Sequence, residues 1–173
     1  MTTASTLLYE LPIPMSPTTR RAGFADLYER HYEAVFRAAL RVTGNPADAE
    51  DVLQTVFVRV LTGAAGLDGV DLPAAYFRRA AVNAAVDVLR RRDLRAEAAY
   101  EDTEHTVQPP FLLKEQLRRA IAILEPEDAT LFLLRYVEGL SNEELAGLFE
   151  LEKNNVAVRL HRIRQRLQFE MER

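Results

Sequence analysis

The chain has 173 residues, 48% of them hydrophobic and 28% charged, with a formal net charge of −4 at pH 7 and no cysteine. This is enough for one ordinary domain or two small ones, in the composition range of a globular protein. The missing cysteine excludes disulfides, thiol catalysis and cysteine zinc sites and fits the cytoplasm; no apolar run is long enough to span a membrane, and no basic-then-apolar secretory leader opens the chain.

Residues 1–22 carry Pro12, Pro14 and Pro17 among Thr and Ser and read as a tail. From Phe24 the pattern is helical: Leu27, Tyr28, His31, Val35, Ala38, Ala39 and Val42 recur at spacings of three and four. Gly44 stops this helix. Asn45 suits the N-cap of the next, Pro46 its first position, and Asp48 the positive end of its dipole. That second helix is expected to bury Val52, Val56, Phe57 and Val60 and to expose Asp48, Asp51, Thr55 and Arg59. Gly63, Gly66 and Gly69 mark residues 62–72 as a loop. Pro73 opens a third helix predicted to end near Arg92, with Phe77, Ala80, Ala81, Ala84, Val88 and Leu89 inside.

Residues 93–111 are acidic, contain Pro109-Pro110 and lack a period, so they read as a linker. Helical pattern resumes at Leu112, with breaks near Glu125-Pro126, at Gly139 and at Phe149–Leu151. The fold expected is all-α: a domain over 23–92 and another over 112–173, joined by the acidic linker, with no fixed mutual orientation. Charge is balanced within each half. Residues 24–95 carry ten acids and ten bases, and residues 112–173 carry eleven and ten. Any DNA contact must therefore come from local stripes.

The most informative segment is Gly139 to Leu167. Ser141 can cap a short helix, with Glu144 as its capping-box partner. A tight connection leads to a helix whose buried stripe is Val156, Leu160, Ile163 and Leu167. Ala146 lets the two helices cross closely, as in a helix-turn-helix. Opposite the stripe lie Asn154, Val158, His161, Arg162 and Gln165, with Asn155, Arg159 and Arg166 on a flank. Asn can bond adenine, Arg can bond guanine or phosphate, and Val can meet a thymine methyl. A helical hairpin with a solvated basic face fits the same pattern. His161 has no second ligand at metal spacing.

The sequence resembles the extracytoplasmic-function group of RNA polymerase sigma factors. The resemblance rests on five stretches: Phe24 to Tyr32, Gly44 to Phe57, Ala75 to Arg91, Leu133 to Ala146, and Val156 to Arg164, in this order around an acidic linker. It implies an alternative sigma factor whose first domain grips core polymerase and melts the −10 promoter element. The second domain reads the −35 element, and the linker threads through the polymerase. Asp48, Asp51, Gln54, Thr55 and Arg59 match the segment that docks on the β′ clamp helices, although Thr55 stands where an acid is common. Arg79, Asn83, Val86, Asp87 and Arg90 share one face of the melting helix. The loop from Thr62 to Leu72 matches the one that captures a flipped −10 base, with Tyr76 in a position often held by Trp. Asn154, Asn155, Val158, Arg159, His161 and Arg162 fall on the −35 side, with Arg162 expected to read a base and Arg159 to clamp phosphate.

The turn of the helix-turn-helix departs from the family: Glu150 replaces the usual Gly and is expected to adopt positive φ at some cost. The partners implied are core polymerase (β′ clamp helices and β flap), promoter DNA and an anti-sigma factor, without membrane insertion and without a cofactor. Two other readings use the same residues: a conventional helix-turn-helix regulator, and a protein-binding adaptor without sigma activity. No phosphate loop or HExxH motif supports an enzyme.

Overall fold

The computed structural model describes residues 17–62, 73–99 and 109–172, and among them there are seven helices and no strand. The first three are α1 (Pro17–Thr43), α2 (Pro46–Leu61) and α3 (Ala74–Ala99); α4 (Pro109–Ile123), α5 (Pro126–Tyr136), α6 (Asn142–Phe149) and α7 (Lys153–Met171) follow. The loop expected over 62–72 lies outside the described residues from position 63 onward.

Local chemistry accounts for most boundaries. Gly44, at φ +67°, closes α1, its N–H bonding the Leu40 carbonyl at 2.8 Å. A Cβ built there would lie 1.9 Å from the end of the flexible Arg118 side chain, which would have to shift, so it is the left-handed conformation that calls for glycine. Asn45 then caps α2, its Oδ1 accepting from Ala47 N at 2.9 Å. Pro126 opens α5, and Gly139 at φ +75° follows it.

Three boundaries differ from the expectation. α1 starts at Pro17 rather than near Phe24, because proline at a first helical position forfeits no hydrogen bond. α3 runs past Arg92 to Ala99, since Leu94, Arg95, Ala96 and Glu97 are good helix formers whatever their charge. Pro109-Pro110 begins α4 instead of breaking the chain. Only residues 100–108 of the expected linker remain outside the described helices.

α1, α2 and α3 pack on one another through Leu27, Val35, Ala38, Ala39, Val52, Val56, Phe57 and Phe77, all buried. Tyr28 lies over Phe57 at 4.7 Å between ring centres, and His31 stacks on Phe77 at 4.2 Å. Val60, expected inside, is only partly buried. In the second half, Val156, Leu160, Ile163 and Leu167 of α7 close over α4, α5 and α6.

The two halves are not independent, contrary to the expectation of a free mutual orientation. α3 packs against α4 and α5, and buried residues of both halves form one continuous cluster. The reason lies in α3 itself. Phe77, Ala81, Val82, Ala84, Ala85, Val86 and Leu89 are all buried. They occupy too much of the helix circumference for α1 and α2 alone to cover.

Candidate nucleic-acid interface

The helix-turn-helix is built as its capping residues dictate. Ser141 Oγ accepts from Glu144 N at 3.2 Å, and Glu144 Oε2 accepts from Ser141 N at 2.7 Å, a complete capping box. The Ser141 backbone N–H first, and then its hydroxyl, hold the exposed Glu144 carboxyl below the usual range; the Arg78 charge adds slightly. At the other end of α6, Glu150 takes φ 54°, ψ 40°, the left-handed conformation anticipated for it. Leu151 N bonds the Ala146 carbonyl at 2.9 Å, completing a glycine-type turn without a glycine.

α7 then presents the face expected of it. Asn154, Asn155, Val158, His161 and Arg162 are exposed, and Val158 retains 50% of its surface. Asn155, Val158, Arg159 and Arg162 line a groove of about 440 Å³ with Asp128. Arg159 departs from a free phosphate clamp. It is half-buried, with Nε donating to Asp128 Oδ1 at 2.5 Å and Nη2 donating to Glu127 Oε2 at 3.0 Å. Burial works to lower its pKa, but the bonds to Asp128 and then Glu127 outweigh that and raise it above the ordinary arginine value. The side chain fixes α7 to the first turn of α5, a contact between positions too distant in sequence for any local signal.

On α2, Asp51, Gln54, Thr55 and Arg59 are exposed as expected. Asp48 is half-buried, 3.8 Å from Arg92 of α3. Asp51, Thr55 and Arg59 line a groove of about 460 Å³ whose other wall includes Asp87 and Arg90. Tyr76 stands partly buried at the start of α3, edge-on to Phe77 at 5.5 Å. Burial raises its pKa against the opposing charge of Arg59.

The α3 stripe is the largest departure. Its five residues do share a face, but most of that face meets the second half of the chain. Val86 is 1% exposed. Arg79 Nη1 donates to the Leu148 carbonyl, with its guanidinium 4.4 Å from the centre of the Phe149 ring. Asn83 Oδ1 lies 2.5 Å from the Thr130 hydroxyl, which is also 2.9 Å from the Pro126 carbonyl. Arg90 donates to the carbonyls of Ala122, at 3.2 Å, and Leu124. Asn83 and Asp87 stay exposed, Asp87 in the α2 groove.

An all-α chain of two helical units, the second ending in a capped helix-turn-helix with an open polar face, is the architecture of a DNA-binding transcription factor. Comparison with known proteins narrows this. Sigma-70 region 2 matches residues 27–95, and Sigma-70 region 4 matches residues 114–167. The ECF RNA polymerase sigma factor SigE of Mycolicibacterium smegmatis is 31% identical, over 82% of this chain and 59% of that protein. The RNA polymerase sigma-E factor of Streptomyces avermitilis is 30% identical, over 86% of this chain and 85% of that protein. Among solved structures, RpoE in complex with the anti-sigma factor NepR from Bartonella quintana has TM-score 0.50 at 18% identity, covering 86% of this chain and 96% of that one. CnrH in complex with the cytosolic domain of CnrY has TM-score 0.53 at 21% identity, covering 90% and 94%.

The chain belongs to the extracytoplasmic-function group of RNA polymerase sigma factors. That family consists of transcription-initiation factors rather than enzymes, and no helix among the described residues is long and apolar enough to cross a membrane.

Proposed function

We propose that this sigma factor docks on core RNA polymerase through Asp51, Gln54, Thr55 and Arg59 of α2, reads the −35 element with Asn154, Val158 and Arg162 of α7, and handles the melted −10 element with Arg79, Asn83 and Arg90 of α3. It acts in the cytoplasm by binding rather than catalysis. Its partners are the β′ clamp helices and β flap of core polymerase, promoter DNA, and an anti-sigma factor such as the one seated on the Bartonella relative in its structure.

The observation that carries this reading is the outer face of α7. Asn154, Val158 and Arg162 are open to solvent directly opposite four fully packed residues, on a helix whose entry is set by a capped α6. That disposition lets a helix enter the major groove without disturbing its own core.

Transcription from a random promoter library, with core polymerase and with or without this chain, tests it. The expected result is a selected pair of −35 and −10 sequences, with the −35 preference relaxed by Arg162→Ala. Asp51→Arg with Gln54→Ala should weaken assembly with core enzyme while leaving the fold intact. An unselected library, or unchanged assembly by that folded variant, would overturn the corresponding part.

A further inference from the structure

The groove beside the outer face of α7 has a wall that comes from a different helix. Asp128 of α5 lines it together with Asn155, Val158, Arg159 and Arg162 of α7. Pro126 opens α5, which places Asp128 in its first turn, where the positive end of the helix dipole favours a carboxylate. Arg159 secures it from the opposite side, donating from Nε to Asp128 Oδ1 at 2.5 Å and from Nη2 to Glu127 Oε2 at 3.0 Å. The two carboxylates are held differently. Glu127 keeps 66% of its side-chain surface and lies outside the groove lining, whereas Asp128 keeps 24% and belongs to it. Asp128 is thus fixed in position by a cation and yet reachable from the groove.

The groove therefore combines opposite chemistries. Arg162 offers only hydrogen-bond donors and suits guanine, Asn155 offers both kinds, and the Asp128 carboxylate offers only acceptors. In the major groove guanine shows two acceptors, thymine an acceptor and a methyl, and adenine an acceptor beside its amino group. Cytosine alone shows a donor with no acceptor beside it. A carboxylate held against base edges attracts that pattern and repels the others. We propose that Asp128 is a specificity-determining residue of promoter recognition: it accepts a hydrogen bond from the cytosine amino group at one −35 position and rejects guanine and thymine there. Arg159 is the positioning residue that aims the carboxylate. The assignment rests on the −35 role given to α7 above and adds to it a reader that lies outside the recognition helix.

The test is selection of active promoters from a library randomised across the −35 element, transcribed by core polymerase with this chain or a variant. Asp128→Asn removes the charge and nearly conserves the shape. Glu127→Gln removes the charge of the other carboxylate that Arg159 holds, at a position outside the groove. Urea unfolding accompanies each variant. A second measurement alters the DNA instead: the selected cytosine is replaced by the same ring without its amino group, and binding by the polymerase holoenzyme is compared.

Wild type should select cytosine at one position. Asp128→Asn should lower that preference about tenfold, the size expected of one good base contact, and leave the other positions as they are. Glu127→Gln should leave the selected sequence unchanged. Removing the amino group should cost wild type about tenfold and the Asp128→Asn protein little. Equal losses for the two proteins, or wild-type binding indifferent to the amino group, overturn the role of Asp128 whatever the substitution does to stability. A shift confined to an A·T position overturns the cytosine contact. Matching shifts by Asp128→Asn and Glu127→Gln assign the effect to the placement of Arg159 and overturn it too. If Asp128→Asn changes no preference while Arg162→Ala relaxes one, Asp128 is not a reader and the −35 role of α7 stands. If neither changes any preference, α7 is not the −35 reader, and the proposal falls with it.

Discussion

Two helices of this chain carry stripes of Arg, Asn and Val suited to nucleic acid, and the fold treats them oppositely. Val158 on α7 keeps 50% of its surface, whereas Val86 on α3 keeps 1%. α7 buries a single stripe, so its other side is free. α3 is apolar around most of its girth, and its polar residues stand among positions that must be covered. Periodicity tells which residues share a face, but what lies against that face depends on the rest of the molecule.

The sharpest way to break this comparison is one substitution made in both places. Val86→Asp should destabilise the fold by about 3 kcal/mol or more, since it buries an unpaired charge. Val158→Asp should change stability by no more than about 0.5 kcal/mol and instead weaken −35 binding by placing a carboxylate beside phosphate. Urea unfolding of both variants reads the difference; equal costs would mean the two faces are equally exposed in solution.

Next in size is the division of labour on α7. Arg162→Ala should lower discrimination at one −35 position by about 1–3 kcal/mol without affecting stability. Arg159→Ala should cost about 1 kcal/mol of stability through the lost link to α5, and a double-mutant cycle with Asp128→Ala should recover that coupling. If promoter selection shows Arg159→Ala changing sequence preference while Arg162→Ala does not, the assignment is reversed.

Glu150 gives a smaller effect of the opposite sign. Glu150→Gly should stabilise the protein by about 1 kcal/mol, by removing the penalty of a left-handed non-glycine residue. Promoter preference should stay unchanged, because the turn already has glycine geometry. A shift in preference would show that Glu150 sets the angle of α7.

The weakest effect belongs to Glu144. Its folded pKa is depressed by the Ser141 bonds. Its contribution is therefore present above the unfolded carboxylate pKa and lost as pH falls through the lower folded value. The stability gap between wild type and Glu144→Ala should narrow across that acidic window. A gap constant with pH would assign the loss to helix propensity instead of the capping box.

Much of the candidate site could be read without coordinates where the signal is local. The Ser141–Glu144 box, the Asn45 cap, the left-handed Glu150 and the Val156–Leu167 stripe all depend on residues within a turn or two of one another. The helix ends at Pro17, Ala99 and Pro109 differ from the sequence reading for an equally local reason: prolines and acidic residues have the composition of irregular chain, yet proline fits a first helical turn and Glu and Ala are good helix formers.

The sequence alone therefore determined the helices, their caps, the outward face of α7 and, through motif order, the family. Only tertiary structure decided that Arg159 is tied to Asp128 and Glu127, that Asp87 sits in the α2 groove, and that Arg79, Asn83 and Arg90 face the second domain. The physical reason is the range of the interactions. Caps and periodicity act over a few residues along one helix, whereas a guanidinium reaching the end of another helix depends on how whole elements pack, and no short stretch of sequence records that.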